Sequence, residues 1–331
     1  MLLVVIGHTV LGSVHDNSVR YIIYAFHMPL FIGLSGYLIN REKLYDSALV
    51  DLVSRYWWRV VLPFVLAFVF YTGVLLIHAY QEGRFTTSLL LSYLHTPYYH
   101  LWFVPTLLIW VGVFWLMLKQ RLAGRWAAVV FLVLTGLWGT LSPEEVPVVG
   151  PYIGLLLSKK VVYFFGFFLF GAWFNTKSSA KFMNLISSFN ILPAAIVMLC
   201  AVVYIVNIGP DKELAKGVAW MLMNLGLIAI AVAWVGKGGA QGHASQGAKK
   251  QLKKIKTSGL PKRTLVAMGR LSLPIYLWHV VPMFLLKGFG IHLTNPLVYY
   301  AVSIVTVGLI VAVLINLENK SRLLNRVVYG V

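Results

Sequence analysis

The sequence predicts an all-α protein, a polytopic integral membrane bundle of about ten transmembrane helices. Three observations predict it. Hydrophobic residues make up 59% of the 331-residue chain and charged residues only 11%, whereas an average soluble domain is about 25% charged. The mean hydropathy is +0.80. Charge-free runs recur along the chain, most of them near the roughly 20 residues that a helix needs to cross a bilayer. A soluble α/β core would instead break into short apolar runs with polar turns between them.

In chain order the spans are expected at 1–14, 20–39, 57–79, 101–118, 126–141, 160–175, 189–208, 217–236, 271–290 and 296–317, within a single domain of residues 1–331. The first run is short for a span. It begins in apolar sequence with no basic segment before it, unlike a cleaved signal peptide. About a dozen further residues upstream are expected to complete it.

The formal net charge is +18, but its distribution argues against nucleic acid as a partner. The basic residues sit in short loops between apolar runs and do not share one face of a soluble domain. Their alternation reports topology instead. One set of loops holds Arg41, Lys43, Arg55 and Arg59, then Lys119, Arg121 and Arg125, then Lys177 and Lys181, then the block from Lys237 to Arg270, and finally Lys320, Arg322 and Arg326. The opposite set holds only Arg20, Arg84, Lys159, Lys160, Lys212, Lys216 and Lys287. Cytoplasmic loops carry the Lys/Arg excess, which places the first set and both termini in the cytoplasm of a plasma (inner) membrane protein. Residues 237–266 form one long basic cytoplasmic loop, Gly/Ser/Gln-rich and then Lys/Arg-rich. It reads as a flexible linker and topology signal, or as a contact for anionic lipid headgroups or an anionic cofactor.

Aromatic residues near span ends, among them Trp57, Trp58, Tyr98, Tyr99, Trp102, Tyr299 and Tyr300, fit an interfacial belt. The single cysteine, Cys200, excludes an intramolecular disulfide and a cysteine metal cluster.

Ionisable groups inside spans are costly and face a cavity or a partner. His8, His27 and His279 fall deep in the first, second and ninth spans. Each could simply bond a neighbouring helix. Their similar depth favours proton handling, for which the near-neutral pKa of imidazole is suited. No H-x-x-H or H-E-x-x-H pair occurs and no intramembrane carboxylate offers a further ligand, so no metal is expected. Gly33-Leu34-Ser35-Gly36 falls short of the G-x-S-x-G of a serine-hydrolase elbow. Ser35 and Gly36 are better read as small residues that permit close helix packing. Arg55 and Arg59, at i, i+4 on the cytoplasmic side of the third span, and Arg270 at the start of the ninth, are candidates for phosphate recognition as well as ordinary topology anchors.

Four stretches carry a family resemblance: Leu2-Val-Val-Ile-Gly-His8-Thr9, Phe26-His27-Met28-Pro29-Leu30-Phe31 continuing to Ser35-Gly36-Tyr37-Leu38, Leu101-Trp102-Phe103-Val104-Pro105, and Ser272-Leu273-Pro274-Ile275-Tyr276-Leu277-Trp278-His279. Together they resemble the acyltransferase 3 family of multi-span membrane O-acyltransferases, in particular its fucose 4-O-acetylase and exopolysaccharide O-acyltransferase branch. The resemblance implies transfer of an acyl group, often acetyl, from cytoplasmic acyl-coenzyme A to a sugar hydroxyl of a glycan or glycolipid. It carries His8 over as the family's first-helix histidine. The arginine that the family places eleven positions earlier has no counterpart here. On this reading Arg55, Arg59 and Arg270 hold the coenzyme A phosphates. His8 is general base or transient acyl carrier, and His27 and His279 orient it or stabilise charge. The competing class is a transporter or flippase for an envelope lipid, sugar or organic acid, to which the span number and the buried histidines are equally suited.

Overall fold

A computed structural model describes residues 2–9, 17–95, 100–140, 159–176, 194, 196–202, 218–239, 271–288, 295–317, 320–321 and 325–329. Among them there is helix and no strand, as an apolar environment requires: a helix satisfies its backbone groups within one segment. The principal helices are α1 (Leu2–Thr9), α2 (Ser18–Tyr37), α3 (Arg41–Asp46), α4 (Leu49–Tyr56), α5 (Leu62–Gln81), α6 (Thr87–His95), α7 (Phe103–Lys119), α8 (Arg125–Thr140), α9 (Lys159–Phe174), α10 (Val218–Gly239), α11 (Ser272–Trp278), α12 (Val281–Gly288) and α13 (Pro296–Leu317). Two π-helical turns, Trp57–Val61 and Asn325–Tyr329, accompany them.

Two of the helices described are long and apolar enough to cross a membrane on their own, Leu49–Gln81 with 33 residues and Val298–Leu317 with 20. Shorter apolar helical segments are Phe103–Lys119, Phe164–Phe174, Val218–Trp234 and Ser272–Leu285, the last of them interrupted by a turn at His279 and Val280. The first of the long helices joins α4, the π turn and α5. At 1.5 Å per residue it is about 50 Å long, against a hydrocarbon core of about 30 Å. It ends at a glycine for a backbone reason: Gly83 has φ +67° and the Arg84 amide reaches back to the Ala79 carbonyl at 2.8 Å, a left-handed cap that an L side chain would oppose.

The chain divides into two compact units. The first comprises residues 1–11, 47–108 and 258–331. Its core gathers Val5, Leu271, Ile275, Val307, Leu314 and Tyr329, with Trp278, Ile310, Val311 and Val328 packed against them. The ninth expected span, 271–290, is not one helix here. It breaks at His279 and Val280 into α11 and α12. Pro282 favours the break, since its missing N–H and its ring oppose a continuous helix at the preceding turn.

The second unit comprises residues 12–46 and 109–257. Here α2 lies against α9 through small residues. A Cβ on Gly171 would fall 1.8 Å from the Gly33 carbonyl oxygen, and one on Gly36 would fall 2.0 Å from that of Phe168. The packing role expected of Gly36 is therefore what the structure has, whereas the Ser35 hydroxyl donates back to the Phe31 carbonyl of its own helix at 2.8 Å. Asn17 caps α2, its side-chain oxygen accepting from the Val19 and Arg20 amides at 3.0 and 3.2 Å. Arg41 closes the far end. Its guanidinium donates to the Ala172 carbonyl in the last turn of α9 and to the Ala123 carbonyl, at 3.3 and 2.7 Å, and lies over Phe114. Burial pulls the Arg41 guanidinium below its usual pKa, although an arginine stays charged in a protein.

Candidate functional site

The first unit brings three imidazoles together. The ring centroids of His8 and His279 are 5.2 Å apart, those of His100 and His279 5.5 Å, and those of His8 and His100 6.1 Å. His8 is half-buried on α1, while His100 and His279 are buried. His8 and His279 were both expected from the sequence. His100, in the turn directly before α7, was not among the candidates read from the sequence and joins the cluster. The available signal was its position directly before Leu101-Trp102-Phe103-Val104-Pro105.

The backbone sets the tautomer of His279. Its Nδ1 lies 2.9 Å from the carbonyl oxygens of both Ile275 and Tyr276. Carbonyls only accept, so Nδ1 carries the hydrogen and Nε2 carries a lone pair. That Nε2 is buried without a hydrogen-bond partner. The Ile275 carbonyl also accepts from the His279 amide at 3.0 Å, whereas the last carbonyls before the break between α11 and α12 have no partner within the helix. The Leu277 carbonyl, on the same turn, accepts from Tyr71 Oη at 3.0 Å and from His100 Nε2 at 3.3 Å. Tyr276 Oη in turn donates to the His100 carbonyl. Tyr71 packs its ring against Phe70, His100, Trp278 and Phe284. Nothing in the apolar run 57–79 singled Tyr71 out, since an aromatic in a span reads as packing.

His27 belongs to the second unit. It is buried, donates Nδ1–H to the Ile23 carbonyl at 2.8 Å, and lies tilted by 59° against the Tyr24 ring, 4.8 Å between centroids. Two residues on, Pro29 lacks the N–H that would bond the Ala25 carbonyl. That carbonyl accepts instead from Trp220 Nε1 at 2.6 Å and Asn224 Nδ2 at 3.1 Å, both from α10. Asn224 Nδ2 also reaches the Trp220 carbonyl at 2.8 Å, which fixes the orientation of its amide.

Of the expected phosphate ligands, Arg55 is half-buried and donates to Ser47 Oγ at 3.1 Å. Arg59 is exposed within the π turn. Arg270 lies outside the described residues, as does the basic loop beyond Gly239. Arg326 lies with its guanidinium 5.6 Å from the centroid of the Trp58 ring.

The family model that matches this chain is described as an acyltransferase domain and covers residues 1–316. No curated protein and no solved structure matches it.

Proposed function

The chain belongs to the acyltransferase 3 family, and from that premise we propose that this membrane acyltransferase moves an acyl group, acetyl in the first instance, from cytoplasmic acyl-coenzyme A to a sugar hydroxyl of an envelope or exported polysaccharide or glycolipid. A plasma membrane location with about ten spans and both termini in the cytoplasm belongs to the same proposal. The observation that carries the assignment of residues is the pairing of His8 with His279, at 5.2 Å between rings, with the His279 lone pair held at Nε2.

In the proposed reaction His8, the half-buried member, takes the proton of the acceptor hydroxyl. The oxygen attacks the thioester carbonyl, the C–S bond breaks, and the thiolate receives the proton from His8. His279 Nε2 accepts a hydrogen bond from the imidazolium formed in between, which stabilises charge where it develops. His27 is proposed, on the strength of its motif, to orient a reacting group or stabilise charge as it develops. Arg55, Arg59 and Arg270 would hold the phosphates of the donor, for which guanidinium is suited by its fork of N–H groups.

His8→Ala in the full-length protein should insert and accumulate normally. It should lose acyl transfer by about two orders of magnitude, the lower range for a removed acid–base group. His8→Gln keeps polarity without proton transfer and should not restore activity. Near-normal acylation by the Gln variant would remove His8 from the chemistry. Solute movement without thioester consumption by the unmodified protein would favour a transporter.

A further inference from the structure

We infer that Tyr71 and His100 are positioning residues, a two-donor clamp on the Leu277 carbonyl that holds the broken α11–α12 turn and thereby aims the lone pair of His279. The inference rests on the roles proposed above for His8 and His279. It adds the element that makes His279 serviceable.

The argument begins at the break. A helix interrupted in an apolar surrounding leaves carbonyls that need donors from elsewhere. At this break the supply is specific. Tyr71 Oη, from α5, and His100 Nε2, from the segment before α7, converge on one oxygen at 3.0 and 3.3 Å. Tyr71 and Leu277 are fully buried, so no bulk water competes for that oxygen. The clamped residue lies two positions before His279, whose own Nδ1–H is tied to Ile275 and Tyr276 within the same turn. The direction of Nε2 is therefore set by where this turn sits. A further contact holds the turn, because Tyr276 Oη is bonded to the His100 carbonyl. His100 thus contributes twice, through its ring to Leu277 and through its backbone to Tyr276. Both contacts tie the segment before α7 to the end of α11.

Neither donor need touch substrate for this to matter. A displacement of about 1 Å in a reacting group can cost about a hundredfold in rate. Tyr71→Phe deletes one hydroxyl and keeps the ring packed on Phe70, Trp278 and Phe284. It leaves His100 alone on the carbonyl.

The test uses the full-length protein with an acyl-coenzyme A and a sugar acceptor. Tyr71→Phe should lower kcat about tenfold with KM for both substrates within about twofold. Combined with His100→Leu, which bares the carbonyl, the loss should reach about a hundredfold or more. Tyr80→Phe, on the same helix but exposed, should change nothing. On a His279→Ala background Tyr71→Phe should cause no further loss, because its effect passes through His279. A loss there as large as in the unsubstituted protein, or wild-type kcat in the double variant, overturns the inference. Hydrogen exchange of residues 272–288 supplies a readout independent of activity. Exchange should quicken in Tyr71→Phe, and unchanged exchange also overturns the clamp. If His279→Ala itself were fully active, the proposed role of His279 would fall, and the exchange result alone would still decide whether the clamp exists.

Discussion

A lone pair inside an apolar bundle has to be kept from finding a partner, and at His279 the backbone does this. Two carbonyls take up Nδ1–H, leaving Nε2 buried and open. In the second unit the same logic acts through proline. Pro29 frees the Ala25 carbonyl, and Trp220 and Asn224 satisfy it. Asn224→Leu should therefore cost only about 1 kcal/mol, since Trp220 still bonds the carbonyl. Adding Trp220→Phe should cost more than the sum of the two single changes, because it leaves a buried carbonyl bare. Thermal unfolding of the purified variants in detergent checks this, and additive losses would count against a shared acceptor. At the arginines proposed to hold the donor phosphates, Arg59→Gln should raise KM for the acyl-coenzyme A about tenfold with little change in kcat, the signature of lost uniform binding. Arg55→Gln should do the same, with some loss of stability through Ser47. A fall in kcat at unchanged KM would reassign both.

Glycine positions decide how closely helices approach, and they do so unequally. Gly171→Ala and Gly36→Ala would drive a methyl group into the carbonyls of Gly33 and Phe168. Backbone cannot swing aside as a side chain can, so α2 and α9 must part. A loss of about 1–3 kcal/mol or more is expected for each. Gly33→Ala meets only the side chain of Ile228, at 2.6 Å, and should be milder. Gly112 on α7 has nothing within 4 Å of a new Cβ. Gly112→Ala should be neutral or stabilising by up to about 1 kcal/mol through helix propensity. Midpoints of thermal unfolding across the four variants should fall in that order. Equal shifts would mean that the α2–α9 approach does not limit packing.

Topology is a property of the whole chain, because the Lys/Arg bias acts on every loop together. With 28 basic and 10 acidic residues unevenly divided between the two sets of loops, residues 237–266 and both termini should face the cytoplasm. Ser245→Cys should resist an impermeant maleimide in intact cells and react after permeabilisation. Because Cys200 is the one native cysteine, a Cys200→Ala background keeps the readout clean. Rapid labelling from outside would invert the assignment.

Helix as the sole secondary structure of the described residues, the apolar character of the elements, the family and the small-residue role of Gly36 all followed from the sequence. Each depends on local composition or on a motif read along the chain. Three features needed the folded molecule. The ninth apolar run breaks at His279, a choice between one helix and two that Pro282 alone leaves open, since a proline can also be absorbed as a kink. His100, in the turn before α7, joins His8 and His279, a meeting that no local pattern marks. Tyr71 reaches a carbonyl 206 positions away. Hydropathy records how much a residue prefers an apolar surrounding and says nothing of which distant carbonyl its hydroxyl will meet. That pairing is settled only when helices far apart in sequence pack and their unpaired polar groups must be satisfied together.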